Sequence, residues 1–326
     1  MTIPMVIILV TLIFFIMRVL PGDPIRSQLG PRVSEEQAED LRERLGLNRP
    51  LLVQYVDFIG DMITFDFGNA LTQGERPIRD ELGERLPATI ELTIPAITIT
   101  AIFGILSGAY AAKNRKKPID YIIRLLSIVM SSIPIFFMGL LFQIGFSVKV
   151  PIFPLSGRMD TLMLTTFNSP TNFYVFDALI AGNWPAFWSA ITHLILPSVT
   201  LGLALSGVFV RLTRVNMIEM LQSDFITAGR ARGIGEKRLV YKHALRNTFI
   251  PILTLLGLQF AILLAGAVLT ETTFSLPGVG RYLVDRIQLR DYTAVQATIG
   301  VFAMFVAAIS LLMDVLYAFI DPRIRY

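Results

Sequence analysis

Cysteine is absent from the 326 residues, so no disulfide or thiolate chemistry can contribute, and cysteine usage names no redox compartment. Charge is scarce: Asp, Glu, Lys and Arg make up 17% of the chain, against about 25% in soluble domains. The only histidines, His193 and His243, are 50 residues apart and fall on opposite sides of the membrane topology derived below. A His/carboxylate metal site or a Ser-His-Asp triad is therefore not expected. No G-x-x-x-x-G-K-[ST] phosphate loop occurs, and Gly233-x-Gly235 and Gly278-x-Gly280 lack the third glycine of a dinucleotide fingerprint. The chain is expected to hold no cofactor or metal and to carry no catalytic residue. Phe225 and Tyr241 lie among basic residues, but no nucleic-acid motif accompanies them, and no nucleic-acid partner is expected.

Apolar sequence is abundant instead. Hydrophobic residues reach 53%, and mean hydropathy is +0.61. A helix needs about 20 apolar residues to cross the hydrocarbon of a bilayer. Six segments qualify: residues 3–20, 88–112, 121–146, 191–209, 249–269 and 294–320. The first lacks the basic leader and cleavage site of a signal peptide, and it is read as a retained span. Loop charge sets the orientation. Residues 113–120, "KNRKKPID", carry four basic and one acidic residue; residues 211–247 carry eight and three. Residues 147–190 have two of each sign and residues 271–292 three of each. The positive-inside rule places the basic loops, and with them both termini, in the cytoplasm. Trp184 and Trp188 fall where an outer aromatic belt would put them. The expected fold class is an all-α, six-span membrane protein in a lipid bilayer.

Three regions follow: a first span at 1–20, an extracytoplasmic helical insertion at 21–87, and a core at 88–326. In the insertion, Ser34 with Gln37 forms a capping-box pattern, and Gly46 would end that helix. Pro50 precedes a second amphipathic helix, "LLVQYVDFIGDMITF", and Pro77 opens a third, "PIRDELGERL". These helices are expected to pack over the outer mouth, with a docking platform for an external protein as the alternative. Few ionisable residues lie within spans. Glu91 is read as complementing a helix N-terminus, Arg124 as snorkelling, and Asp314 as contacting another helix. Pro134 should kink the third span, with Ser131 and Ser132 beside it to satisfy freed backbone groups. In the fifth span, Gly257, Ala261, Ala265 and Gly266 suit close helix packing, and Gln259 is the polar candidate for the pathway. After it, "SLPGVG" with Ser275, Pro277, Gly278 and Gly280 reads as a turn or as an outer gate contact.

The most distinctive stretch is "DFITAGRARGIGEKRLVYKHALRN", residues 224–247, inside the cytoplasmic segment 216–247. Its pattern predicts a helix from Phe225 to Arg232 broken by Gly229, a turn at Gly233–Gly235, and a second helix from Glu236 to Asn247. Attraction to anionic lipid would explain the charge. It does not explain the small residues around the turn, which permit close approach of another surface.

This segment resembles the coupling loop of ATP-binding-cassette (ABC) importer permeases, and the chain resembles their dipeptide/oligopeptide/nickel branch nearly throughout. The ordered stretches are "RVLPGDP", "LGLNRPLLVQY", "ERLPATIEL", "SIPIFFMGL", "LPSVTLGL", "AGRARGIGEKRLVYKHALRNTFIP", "ETTFSLPGVGR" and "DPRIRY". Thr227 stands where the general motif has Glu, and Arg246 near its terminal Pro. Relatives usually begin with a basic tail, whereas no Lys or Arg precedes Arg18, which points to a short first helix or a start inside a longer reading frame. The resemblance implies a type I importer permease, paired with a second, similar permease chain. Two cytoplasmic ATPases would hold ATP and Mg, and an extracytoplasmic binding protein would deliver peptides. A short helix over residues 217–234 would dock on an ATPase through Asp224, Thr227, Ala228, Gly229, Arg230, Ala231, Arg232, Gly233 and Ile234. The same architecture could import nickel chelates or another small solute. A secondary transporter or channel, and a membrane receptor or scaffold, are the readings from other classes.

Overall fold

The computed structural model describes residues 2–19, 34–44, 46–70 and 76–320. Its helices are α1 (Thr2–Val19), α2 (Glu35–Arg44), α3 (Leu51–Thr64), α4 (Ile78–Lys113), α5 (Pro118–Ser132), α6 (Ile135–Gln143), α7 (Thr161–Thr166), α8 (Tyr174–Ile180), α9 (Trp184–Leu221), α10 (Asp224–Ala231), α11 (Leu245–Thr273), α12 (Val279–Gln288) and α13 (Tyr292–Ile320). Two π-helical stretches, Ile144–Lys149 and Leu239–Ala244, extend α6 and lead into α11. Among the described residues, α4, α9 and Tyr292–Met313 of α13 are long and apolar enough to cross a membrane. Pro118–Ser132 and Ile135–Lys149 make a fourth span if counted together, though they are bent by 102° at Ile133–Pro134. Helices α1 and α11 coincide with the first and fifth expected spans. The expected third helix of the insertion is not separate. It forms the first turns of α4, which runs on through Pro87 and Pro95. "DPRIRY" and much of "RVLPGDP" lie outside the described residues, as do the side chains of Ala261, Ala265, Gly266 and Asp314.

Two compact units divide the chain. The first comprises Met1–Pro87 with Gly278–Ala308. Its core joins Val10 and Phe14 of α1, Phe58 and Met62 of α3, Ile78 and Leu82 of α4, and Val279, Tyr282, Ala297 and Val301 of α12 and α13. Helix α2 begins directly after Ser34, and Gly46 just beyond it is left-handed at φ +65°. A charged cluster sits inside this apolar frame. The Arg286 guanidinium donates to both Glu81 carboxylate oxygens at 2.7 and 2.6 Å and to Asp291 at 3.4 Å. The Tyr282 hydroxyl donates to Glu81 at 2.5 Å, and Asp291 accepts the Ala294 N–H at the start of α13. All four side chains are buried, so each charge persists only because its partners replace water. Burial, followed by the hydrogen bond to Glu81, pushes the Tyr282 phenol well above its ordinary pKa and keeps it a donor.

The second unit comprises Ala88–Pro277 with the end of α13. Helix α9 is its axis, packed against α5, α6, α8 and α11. The close contacts are made at glycines. A Cβ on Gly104 of α4 would stand 2.4 Å from Phe209 Cβ, and one on Gly108 would stand 2.7 Å from the Val210 carbonyl oxygen. A Cβ on Gly202 of α9 would meet the Ala96 carbonyl oxygen at 2.8 Å, and one on Gly207 the Ser127 carbonyl oxygen at 2.4 Å. Backbone therefore lies on backbone, as small residues allow in membranes. Thr100 donates across the α4–α9 contact to the Gly202 carbonyl at 2.9 Å.

Glu91 is not at a helix N-terminus, since α4 begins at Ile78. Its carboxylate pairs with Arg158 at 2.7 Å and accepts the Val175 N–H at 2.8 Å. The Arg158 guanidinium also lies 3.8 Å above the Tyr174 ring. This cluster ties the segment between the π-helical Ile144–Lys149 and α8 to α4. Thr89 donates to the buried Glu271 at 2.6 Å and ties α4 to α11.

Two substitutions and a control probe these forces. Arg286→Met should destabilise the protein by about 3–5 kcal/mol, because Glu81 and Asp291 stay buried without that counter-charge. Gly202→Leu should cost about 1–3 kcal/mol through overpacking against α4. Gly60→Ala, at an exposed helical site with nothing within 4 Å of the new Cβ, should instead raise stability by up to about 1 kcal/mol. Thermal unfolding in detergent reads all three.

Candidate functional site

The segment singled out by its charge and glycines is built on the ends of longer helices. Helix α9 stops at Leu221, and α10 begins after an extended residue, Ser223. Met217 therefore belongs to α9, and the short helix expected over 217–234 is confined to Asp224–Ala231. Gly229 does not break it. Gly229 faces inward, where a Cβ would lie 2.8 Å from Leu239 Cδ2, so the missing side chain lets α10 settle onto the π-turn.

Helix α10 ends in a left-handed glycine cap. Gly233 has φ +76°, its N–H donates to the Arg230 carbonyl, and the Ile234 N–H donates to the Gly229 carbonyl. That reversed pair of bonds satisfies carbonyls the helix would otherwise leave open. Arg230 straps the turn by donating to Glu236 at 2.5 Å. Its guanidinium holds the Glu236 carboxyl below the usual carboxylate range. The expected helix from Glu236 to Asn247 passes from one turn at Glu236–Arg238 through the π-helical residues into α11.

Under α10 lies an apolar platform. Ile226 packs with Ala109 and Ala112 from the end of α4, Met217 from α9, and Leu239, Val240 and Ala244 from the π-turn. Ile234 packs at its edge. On the opposite side, Asp224, Thr227, Ala228 and Ala231 recur at i, i+3, i+4 and i+7, and all four are exposed. This outer face carries a carboxylate, a hydroxyl and two methyl groups, so a partner's backbone can approach closely. Phe225, Arg230, Arg232 and Gly233 flank it and are also exposed. Of the nine candidate contact residues, seven thus lie at the surface, while Gly229 and Ile234 form the seat beneath.

A clamp not anticipated from sequence fixes the neighbouring basic loop. Arg214 of α9 donates through two nitrogens to Asp120 at 2.6 and 2.8 Å, and Asp120 also accepts the Lys116 N–H at 3.1 Å. Pro118 at the start of α5 marks Asp120 as a first-turn acid, but nothing local names its partner 94 residues away.

The pathway candidates separate into two environments. Ser131, Ser132 and Pro134 are exposed at the break between α5 and α6. Ser131 donates to the Ser127 and Ile128 carbonyls, not to the Met130 carbonyl for which Pro134 has no N–H. Gln259 is buried, and its Oε1 has no partner among the described residues. Gly257 packs against Met313, 3.0 Å from the position of an added Cβ. Of the gate candidates, Ser275 is exposed and left-handed at φ +52°. It follows the α11 cap residue, where the Leu276 N–H reaches back to the Glu271 carbonyl, and Pro277 beyond it is exposed. In the first unit, Gly278 precedes α12 with extended backbone, and Gly280 is buried in its first turn. These positions end one helix and start the next.

Asp160, Ser189 and His193 do meet, but not as a hydrolytic triad. The Ser189 hydroxyl donates to Asp160 at 2.8 Å, and His193 Nδ1 contacts the Ser189 carbonyl at 2.7 Å, so that nitrogen carries the proton. The hydroxyl is not aimed at the imidazole, which a base-activated nucleophile requires.

Comparison with known proteins covers the whole chain. Residues 84–326 match the signature described as "Binding-protein-dependent transport system inner membrane component", and residues 1–93 match the corresponding N-terminal signature. A dipeptide transport system permease protein, DppB, of Alkalihalophilus pseudofirmus is 41% identical over 99% of this chain and 96% of its own length. A di/tripeptide transport system permease protein of Pseudomonas aeruginosa is 40% identical over 97% and 93%. A glutathione transport system permease protein, GsiC, of Escherichia coli is 36% identical over 99% and 96%.

Replacing Glu236 by Gln should speed amide exchange across residues 230–236 without shifting the melting temperature. Because the folded-state pKa of Glu236 is depressed, the strap persists above the ordinary carboxylate pKa of about 4.3 and is lost as pH falls through the lower folded value. Hydrogen exchange followed downward in pH checks the sign.

Proposed function

This chain belongs to the family of binding-protein-dependent transport system inner membrane components, and on that premise we propose that it forms half of an ATP-driven pathway for peptide uptake. It is a multi-pass inner-membrane transport permease, not a catalytic enzyme. Six spans with both termini in the cytoplasm fit the loop charges. A second permease chain completes the pathway, a binding protein delivers the solute from outside, and two ATPase subunits supply the work. The names of the relatives support peptide-like solutes, including the tripeptide-sized glutathione.

The observation that carries the coupling role is the thin outer face of α10, Asp224, Thr227, Ala228 and Ala231, on a helix whose other side is seated on α4, α9 and the π-turn. An ATPase surface closing on that face pushes a rigid body. The seat passes displacement into α9 directly and into α11 through the continuous π-turn. Arg232 at the rim is placed to donate charged hydrogen bonds to the ATPase. Ser131, Ser132 and Pro134 are exposed among the described residues, which suits a pathway completed by a second permease. Gln259 offers an amide oxygen in α11 with no partner among the described residues.

Ala228→Trp places a large side chain on the exposed face without touching the platform. In the reconstituted importer it should abolish peptide uptake while membrane insertion stays normal. Wild-type uptake by that variant would remove α10 as the docking element. The purified chain alone should neither bind nor hydrolyse ATP; stoichiometric turnover by it would refute the division of labour.

A further inference from the structure

Helix α3 has three distinct sides. Gln54, Phe58 and Met62 face the core of the first unit. Asp57, Asp61 and Thr64 recur at i, i+4 and i+7 along one exposed flank. Leu52, Val56 and Ile63 recur at i, i+4 and i+11 along the other, and they are 79%, 67% and 73% exposed. An aliphatic flank this open is unusual for a helix that merely covers a mouth in water.

Its neighbour shows what covers it. Tyr55 shares a hydrogen bond of 2.7 Å with Thr11 of α1, and Phe58 stacks on Phe14 at 5.7 Å between ring centroids. Thr11 and Phe14 precede the end of α1 at Val19 by eight and five residues, or about 12 and 8 Å along the axis. Contacts at that depth lie beside the apolar body of α1, not beyond its end. Helix α1 leaves its own apolar surface open at Ile8, Leu12 and Phe15.

We propose that α3 is embedded in the outer leaflet, with Leu52, Val56 and Ile63 against lipid acyl chains and the Asp57–Asp61 flank at the water interface. This rests on the reading of α1 as a span with its N-terminus in the cytoplasm. The arrangement has the form of an interfacial amphipathic helix, with a third side spent on the protein core. Part of the insertion then belongs to the bilayer. It widens the membrane-facing perimeter of the permease instead of adding to its external surface.

The absence of cysteine makes a direct test available. Single-cysteine variants at Leu52, Val56, Ile63, Asp57 and, as reference, Leu12 carry a nitroxide in the complete importer, its partner chains made cysteine-free, in phospholipid nanodiscs. Collision with dissolved oxygen should exceed collision with a water-soluble nickel chelate several-fold at Leu52, Val56, Ile63 and Leu12, and the order should reverse at Asp57. Dominant chelate collisions at the three α3 positions, with Leu12 still in lipid, would place α3 in water and overturn the proposal alone. Exclusion of both probes from those positions would mean that a protein covers the flank, and would overturn it too. A Leu12 label open to the chelate would remove α1 as a span, and the proposal with it.

Discussion

The close approach of α9 to its neighbours at glycine is the contact on which the second unit depends. In hydrocarbon, apolar side chains gain little by leaving lipid for one another, so helix association relies on packing and on hydrogen bonds. Gly104 and Gly108 on α4 and Gly202 and Gly207 on α9 bring backbones close enough for both. The Thr100 bond to the Gly202 carbonyl is possible only at that separation. With α9 fixed in this way, its far end presents Arg214 to Asp120 and Met217 to Ile226. The surface around α10 inherits its position from contacts far from it in sequence.

Three buried charged clusters, one in the first unit and two in the second, share a feature: a charge held by more than one partner. Arg286 engages Glu81 and Asp291, Glu91 engages Arg158 and a backbone N–H, and Asp120 engages Arg214 and a backbone N–H. Removing a single member leaves a charge without its counterweight, which costs more than an equivalent apolar contact. Gln259 Oε1 in α11 has no partner among the described residues, as is the case for Ser198 Oγ and Thr213 Oγ1 in α9. A buried polar atom without a partner carries a desolvation cost, and such atoms tend to be kept where they serve a ligand or a motion.

Local chemistry made part of this architecture legible. Gly233 could be read as a turn because a left-handed cap favours glycine, and Pro134 could be read as an interruption because it has no N–H to offer Met130. The angle of that interruption could not be read, since it depends on what the two halves pack against. Two residues misled because their usual roles are local. Pro77 looked like the start of a short separate helix ending the insertion at 87, yet α4 continues through Pro87. Gly229 looked like a breaker, yet its smallness serves Leu239. The partners of Glu91 and Asp120 stand 67 and 94 residues away, and no window of sequence holds both ends of either pair. The i, i+3, i+4, i+7 face of α10 was present in the sequence; which side of that helix faced out became evident only once Ile226 had a platform.

The two halves of the first unit's charged cluster are made at different times. Arg286 follows Glu81 by 205 residues, and at about 5–20 residues per second the ribosome needs roughly 10–40 s to supply it. Throughout that interval Ile78 and Leu82 lack Val279 and Tyr282, and Glu81 must remain hydrated. Residues 1–87 therefore close their core only after residues 278–308 have been made. Its assembly waits on synthesis, and every nascent copy passes through a period in which an acidic, half-built segment is open to proteases and chaperones before its counter-ion arrives.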